Sequence, residues 1–151
     1  MINQPSICKA IEAAYNKVLS RKWDTIYIAL DLHETVFEPT YTKGQFIFYP
    51  GVHQALKIMN EYKELKIIIS SSLLDEDKVK VLEFFKLEGI EIFAINENPD
   101  ESDTSYASFK EKYYFSILID DKAGFDPLTD WKPMIYSFHK QHKRFTFQKA
   151  I

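Results

Sequence analysis

Three clusters of polar residues in this chain carry the side chains that do chemistry, and each follows directly on an apolar run. Asp31, with His33 and Thr35 just beyond it, follows the run Thr25 to Leu30. Ser70-Ser71-Ser72 follows Leu65 to Ile69, and Asp120, Asp121 and, after a short loop, Asp126 follow Phe115 to Ile119. One such Asp or Ser ordinarily caps a helix or solvates a loop. Carboxylates delivered to one edge from separate strands are different, because they repel unless a cation lies between them. Hard oxygen ligands suit Mg2+, which binds one or two carboxylates and keeps water or substrate phosphate in its other positions. The residue types therefore point to a metal and phosphate site.

The elements that must position these clusters are legible in the apolar spacing. Ile7, Ile11, Ala14, Tyr15 and Val18 predict a helix over 5–20, and the branched run 25–30 predicts a strand covered on both faces. Residues 36–50 read as a hairpin, with Phe37 and Tyr41 on one arm, Thr42 to Gln45 as the turn and Phe46 to Tyr49 as the return. A helix over 52–62 (Val52, Leu56, Met59, Tyr62) leads to a strand over 65–69. The next helix spans 75–87, with Val79, Leu82 and Phe85 expected inward and Gly89 as its stop, and a strand over 90–95 follows. After an acidic loop over 96–103 and a short helical or irregular stretch near 106–113 comes a strand over 115–119. A turn over 127–131 and a helix over 133–142 complete the pattern, with no assignment for 144–151. Strands alternating with helices imply βαβ crossovers and a parallel sheet, in which ligands collect beyond the carboxyl ends of the strands.

Composition narrows the function classes. The 151 residues, 46% hydrophobic and 27% charged, suit a single domain over 1–151. Cys8 is the one cysteine, so an intramolecular disulfide and a cysteine-rich zinc site both drop out, and a small buried hydrophobe is expected there. The apolar runs are strand-sized, and Met1 to Pro5 lacks a basic segment followed by an apolar one, so a cytoplasmic protein without a membrane span is expected. A net charge of -3 does not favour a nucleic-acid partner. The basic segment His139 to Arg144 with Lys149 reads as a solvated helix end in preference to a nucleic-acid contact.

The ordered set of motifs resembles the haloacid dehalogenase (HAD) superfamily of phosphatases and phosphotransferases. Tyr27 to Leu30 followed by Asp31-Leu32-His33-Glu34-Thr35 fills the family's strand and Asp-x-Asp-x-Thr frame, with His33 where an aspartic acid is usual and Glu34 where a glycine is usual. Lys66 to Ser71 resembles the second motif, Lys112 (with Lys110 as fallback) the third, and Ile119 to Asp126 the fourth. The resemblance covers about residues 25–135, including Gly89 to Asn98 and Gly124 to Trp131.

It implies a three-layer Rossmann-like sheet with helices on both faces and the 36–50 hairpin as a short flap, without a cap domain. It also implies a Mg2+-dependent phosphomonoesterase in which Asp31 attacks phosphorus and forms an aspartyl-phosphate. Asp31, Asp121 and the backbone carbonyl of His33 would hold the metal, with Asp126 or Asp120 completing the shell. Ser71, Ser72, Thr35 and Lys112 would meet the phosphoryl group, and backbone N–H groups after Asp31 would help. His33 would exchange the proton, a task suited to an imidazole near neutral pH. The alternative implied by His33 and Glu34 is a phosphate-binding or regulatory module with weak or no turnover. The open site admits small phosphate esters, phosphoproteins or a nucleic-acid end.

Overall fold

The computed structural model describes residues 4–40, 42, 45–101 and 112–151. The branched run after Thr25 becomes β1 (Ile26–Leu30), every residue of which is buried. It occupies the middle of a four-stranded sheet, flanked by β2 (Leu65–Ile69) and by β4 (Ile117–Ile119), with β3 (Ala94–Ile95) beyond β2. The order is β3-β2-β1-β4 and every pairing is parallel. A strand with neighbours on both sides and cover on both faces has no position where a polar side chain meets water, which is why β1 is continuously apolar.

Among the described residues four helices accompany the sheet: α1 (Ser6–Arg21), α2 (Val52–Glu61), α3 (Asp75–Leu87) and α4 (Trp131–Lys149). Alternate strand residues, Ile26, Ile28 and Leu30 of β1 with Ile67, Ile69, Ile117 and Ile119, enter one core with Ile11, Tyr15, Leu56, Met59, Phe85 and Phe138. All four helices contribute to that core. The expectation of helices on both faces is thereby corrected for the described residues. Tyr27, on the opposite face of β1, lies against Phe93 and Tyr114, with ring centroids 6.2 and 6.0 Å away. Its hydroxyl donates to Asp100 Oδ2 at 2.9 Å, where Lys66 Nζ also donates at 2.7 Å. Phe93, Asp100 and Tyr114 thus lie on this face; the stretch expected near 106–113 lies largely outside the described residues.

Element ends differ from the periodicity for physical reasons. The helix expected over 133–142 continues to Lys149 because Phe145 is buried edge-on against Tyr15, 6.0 Å between centroids. Strand β3 keeps only two residues of the expected 90–95 run, since Ile90 turns into the core directly after α3. The inward face of α3 is also corrected: Val81 and Phe85 are buried, whereas Val79 and Leu82 are 57% and 42% exposed. The target that selects this face is the flap, whose Phe37, Phe46 and Phe48 meet Phe84 and Phe85. Gly89 ends the helix turn as expected, with φ +73, and Ile90 N donates to Phe85 O at 2.9 Å.

The 36–50 hairpin forms, pairing Phe37 with Phe48 in antiparallel sense, with Glu38 N donating to Ile47 O at 2.7 Å. Tyr41, Lys43 and Gly44 of its turn lie outside the described residues. Cys8 is buried, its thiol directed at Pro133 O. The basic stretch of α4 is largely spoken for: His142 pairs with Glu64, the Tyr62 hydroxyl bonds His139 Nδ1, and Arg144 donates to Asn16. No helix among the described residues is long and apolar enough to cross a membrane.

Candidate active site

The strand order sets the site. The chain runs from β1 outward through β2 and β3 and then returns to place β4 on the other side of β1, so the order reverses between β1 and β4. Crevices form at such reversals, beyond the carboxyl ends of the strands. Leu30 is in register with Ile119, and Asp31 N still donates to Ile119 O at 2.9 Å; one residue later both chains leave the sheet. Asp31 and Asp120 are the residues at which they leave, and Asp121 opens a short 3-10 turn (Asp121–Ala123). Carboxylate oxygens of Asp31, Asp120 and Asp121 lie within 4.8 Å of one another.

Thr35 ties this group together. It is fully buried, and its Oγ1 lies 3.0 Å from Asp31 Oδ2 and 2.9 Å from Asp121 Oδ1, while accepting from Asp121 N at 2.9 Å. A hydroxyl has one proton to donate. It therefore serves one carboxylate at a time, and the other needs a proton or a cation. Burial, followed by the nearness of Asp121 and Asp120, pushes the Asp31 carboxyl up to about 6. Burial acts the same way on Asp121, but hydrogen bonds from Thr35, from Asp31 and from its own backbone amide outweigh it and hold this carboxyl below its ordinary range. Of the two, Asp31 is the carboxyl that takes up a proton first as pH falls. Three hard carboxylates sharing too few protons match the donor set of Mg2+. Asp31, Asp120 and Asp121 would hold it.

The loop after Asp31 is pinned around the group. Leu32 O accepts from Thr35, Val36 and Phe37, Glu34 N donates to Phe37 O, and the buried Trp131 indole donates to Thr35 O at 3.0 Å. The amides of Leu32 and His33 have no hydrogen-bond partner among the described residues. Glu34 has φ +62, a left-handed conformation that glycine adopts without the strain a side chain adds, about 1–2 kcal/mol.

The other expected residues divide. Asp126 is outside the carboxylate group and closes a local turn: its carboxylate accepts from Leu128 N at 2.9 Å and its own N–H donates to Asp130. Asp120 takes its place. Thr35 is internal, holding carboxylates rather than facing outward. Ser71 stands at the carboxyl end of β2, where Ser70 N donates to Leu30 O. Its backbone is clamped by Asn96, whose amide accepts from Ser71 N at 2.9 Å and donates to Ser71 O at 2.6 Å. Asn96 has φ +54, a conformation asparagine tolerates well. An asparagine directly after the strand, at the head of an acidic loop, was the available signal for this role. Ser72 is exposed. Lys112 is exposed without a bond to the carboxylates among the described residues, and Lys110 lies outside them.

No protein-family model matches the chain, and no curated protein does either. Among solved structures, the chain is similar to a conserved protein from Bacteroides thetaiotaomicron. The two share 24% identity and a TM-score of 0.62, over 78% of this chain and 92% of the other. At that identity the likeness concerns the fold.

Along the loop that follows Asp31 opens a cleft of about 360 Å³, between the flap and α3. His33 and Glu34 line its near side, and Phe37, Glu38, Phe46, Leu73, Asp77 and Lys80 are among its other walls. His33 is exposed there. The arrangement can hold a divalent cation at the sheet edge, with the exposed His33 and two backbone amides that are unpaired among the described residues close by in sequence.

Proposed function

We propose that this chain is a Mg2+-dependent phosphomonoester hydrolase of HAD-like type, acting through an aspartyl-phosphate on Asp31. The observation that carries the reading is the meeting of Asp31, Asp120 and Asp121 around a threonine hydroxyl with one proton to share. Mg2+ held by Asp31, Asp120 and Asp121 would neutralise this group and supply Lewis-acid stabilisation of the charge on the phosphoryl group. Asp31 attacks phosphorus with one carboxylate oxygen while the ester oxygen departs, taking a proton from His33. His33 then removes a proton from water, which attacks the phosphorus of the acyl phosphate and releases phosphate and Asp31. The amides of Leu32 and His33 and the hydroxyl of Ser71 bind the equatorial oxygens. Lys112 offsets the charge between a carboxylate nucleophile and a dianionic substrate.

The purified protein is expected to hydrolyse an aryl phosphate with Mg2+ and not with EDTA, and Asp31→Asn is expected to abolish turnover. Equal rates from that variant would overturn the reading. A phosphate-binding module without turnover is the second reading, favoured by the lack of a described contact between Lys112 and the carboxylates. Phosphate binding that depends on Mg2+, with no hydrolysis across nucleotides, sugar phosphates, phosphopeptides and phosphorylated oligonucleotide ends, would select it.

A further inference from the structure

The cleft between flap and α3 has a composition that the phosphate chemistry does not use. Among the described residues its walls carry three carboxylates, Glu34, Glu38 and Asp77, against one lysine, Lys80. Asp77 and Lys80 are one helical turn apart on α3, so their charges offset locally. Glu34 and Glu38 come from the opposite wall and have no ion pair among the described residues. Between them the chain presents the half-buried ring of Phe46, backed by the buried Phe37 with ring centroids 5.1 Å apart. Carboxylates beside aromatic faces attract an organic cation, by charge and by the ring quadrupole together. They repel a second phosphate, a carboxylate or a nucleic-acid backbone.

Position adds the second step. Residues 33 and 34 belong both to the loop after Asp31 and to the cleft wall, so the ester side of a phosphate held at the carboxylate edge has the cleft next to it. We infer that the cleft is the leaving-group subsite and selects phosphomonoesters of small alcohols carrying an amino or quaternary ammonium group. This rests on the phosphatase reading for its chemistry, and on the cleft alone for its ligand class. A volume of about 360 Å³ lies at the small end of ligand pockets, in keeping with an amino alcohol rather than a polymer.

The test compares choline phosphate with its uncharged carbon isostere, 3,3-dimethylbutyl phosphate, and with glycerol phosphate, by kcat/KM in Mg2+. The cationic ester is expected to exceed the isostere about tenfold, the size of one desolvated cation–aromatic contact. Glu38→Gln should narrow that ratio severalfold. Equal rates for the two isosteres, or a preference for glycerol phosphate, overturns the inference while leaving the phosphatase reading intact. Calorimetric binding of choline against 3,3-dimethylbutanol separates the other failure. Choline-selective binding weakened by Glu38→Gln, in a protein that hydrolyses none of the esters, supports the subsite and removes the phosphatase reading. Absence of choline binding and of ester discrimination removes the subsite.

Discussion

Replacing Thr35 by valine probes the centre of the site without touching a carboxylate. Valine has nearly the shape of threonine, and the position is fully buried, so packing is retained while one hydroxyl is lost. Two interactions disappear: the bond donated to a carboxylate at 2.9 or 3.0 Å, and the acceptor for Asp121 N at 2.9 Å. A bond to a charged group contributes about 1.5–3 kcal/mol, an unsatisfied amide costs about 1–3 kcal/mol, and the added apolar methyl recovers part of this, for a net loss of about 2–3 kcal/mol. For a chain of this length that corresponds to roughly 5–10 °C in Tm. The loop itself stays anchored, because Trp131 holds Thr35 O and Leu32 O accepts three amides. Urea unfolding followed by tryptophan fluorescence reads the change as a shift in midpoint at constant slope. Thr35→Ser is the control, keeping the hydroxyl and losing one methyl, about 1 kcal/mol. If valine is tolerated within about 0.5 kcal/mol, or if serine is the more damaging, the hydroxyl does not bind the carboxylates together and the argument fails.

In calorimetric titration, Asp120→Asn is expected to weaken Mg2+ binding at least about tenfold, a loss of one charged ligand, whereas Asp126→Asn leaves it within about twofold. Comparable losses from both would mean that the fourth motif's later aspartate is a ligand after all. Glu64→Ala removes the acceptor of the Tyr15 hydroxyl at 2.7 Å and of His142 Nδ1 at 2.8 Å in a buried setting. It should destabilise the chain by about 2–4 kcal/mol with Mg2+ affinity unchanged, because Glu64 O pairs with Ile26 N at the far end of β1. In EDTA, the raised Asp31 carboxyl sets the sign of a pH effect: its folded value of about 6 exceeds the ordinary 3.8, so its contribution to stability is present below pH 3.8 and lost as pH rises through 6. Tm measured across that interval should fall less in Asp31→Asn than in the unaltered chain, and parallel curves would contradict the assignment. The lowered Asp121 carboxyl acts oppositely, its contribution being lost only as pH falls below 3.8.

How much of this was legible beforehand depends on whether the signal was local. Continuous branched runs named three strand positions, since burial on both faces leaves no other pattern, and the polar residues ending them located the edge. Helix existence followed from spacing in the same way. The inward face of α3 did not, because Val79, Val81 and Leu82 are equivalent in sequence and only the flap phenylalanines decide which is covered. The length of α4 was hidden similarly, since Phe145 gains its burial from Tyr15, far away in the chain.

Sequence alone determined the types of group delivered to the sheet edge: Asp31, the serines after β2 and the aspartates after β4, each set by its place at the end of an apolar run. Tertiary structure decided which of them meet. Asp120 and Asp126 are both acidic and both follow β4, yet parallel register carries Asp120 to Asp31 while a tight turn keeps Asp126 for its own amides. It also made Thr35 an internal tie and gave Ser71 its clamp in Asn96. Register and strand order are cooperative properties of the assembled sheet, so no single segment encodes them.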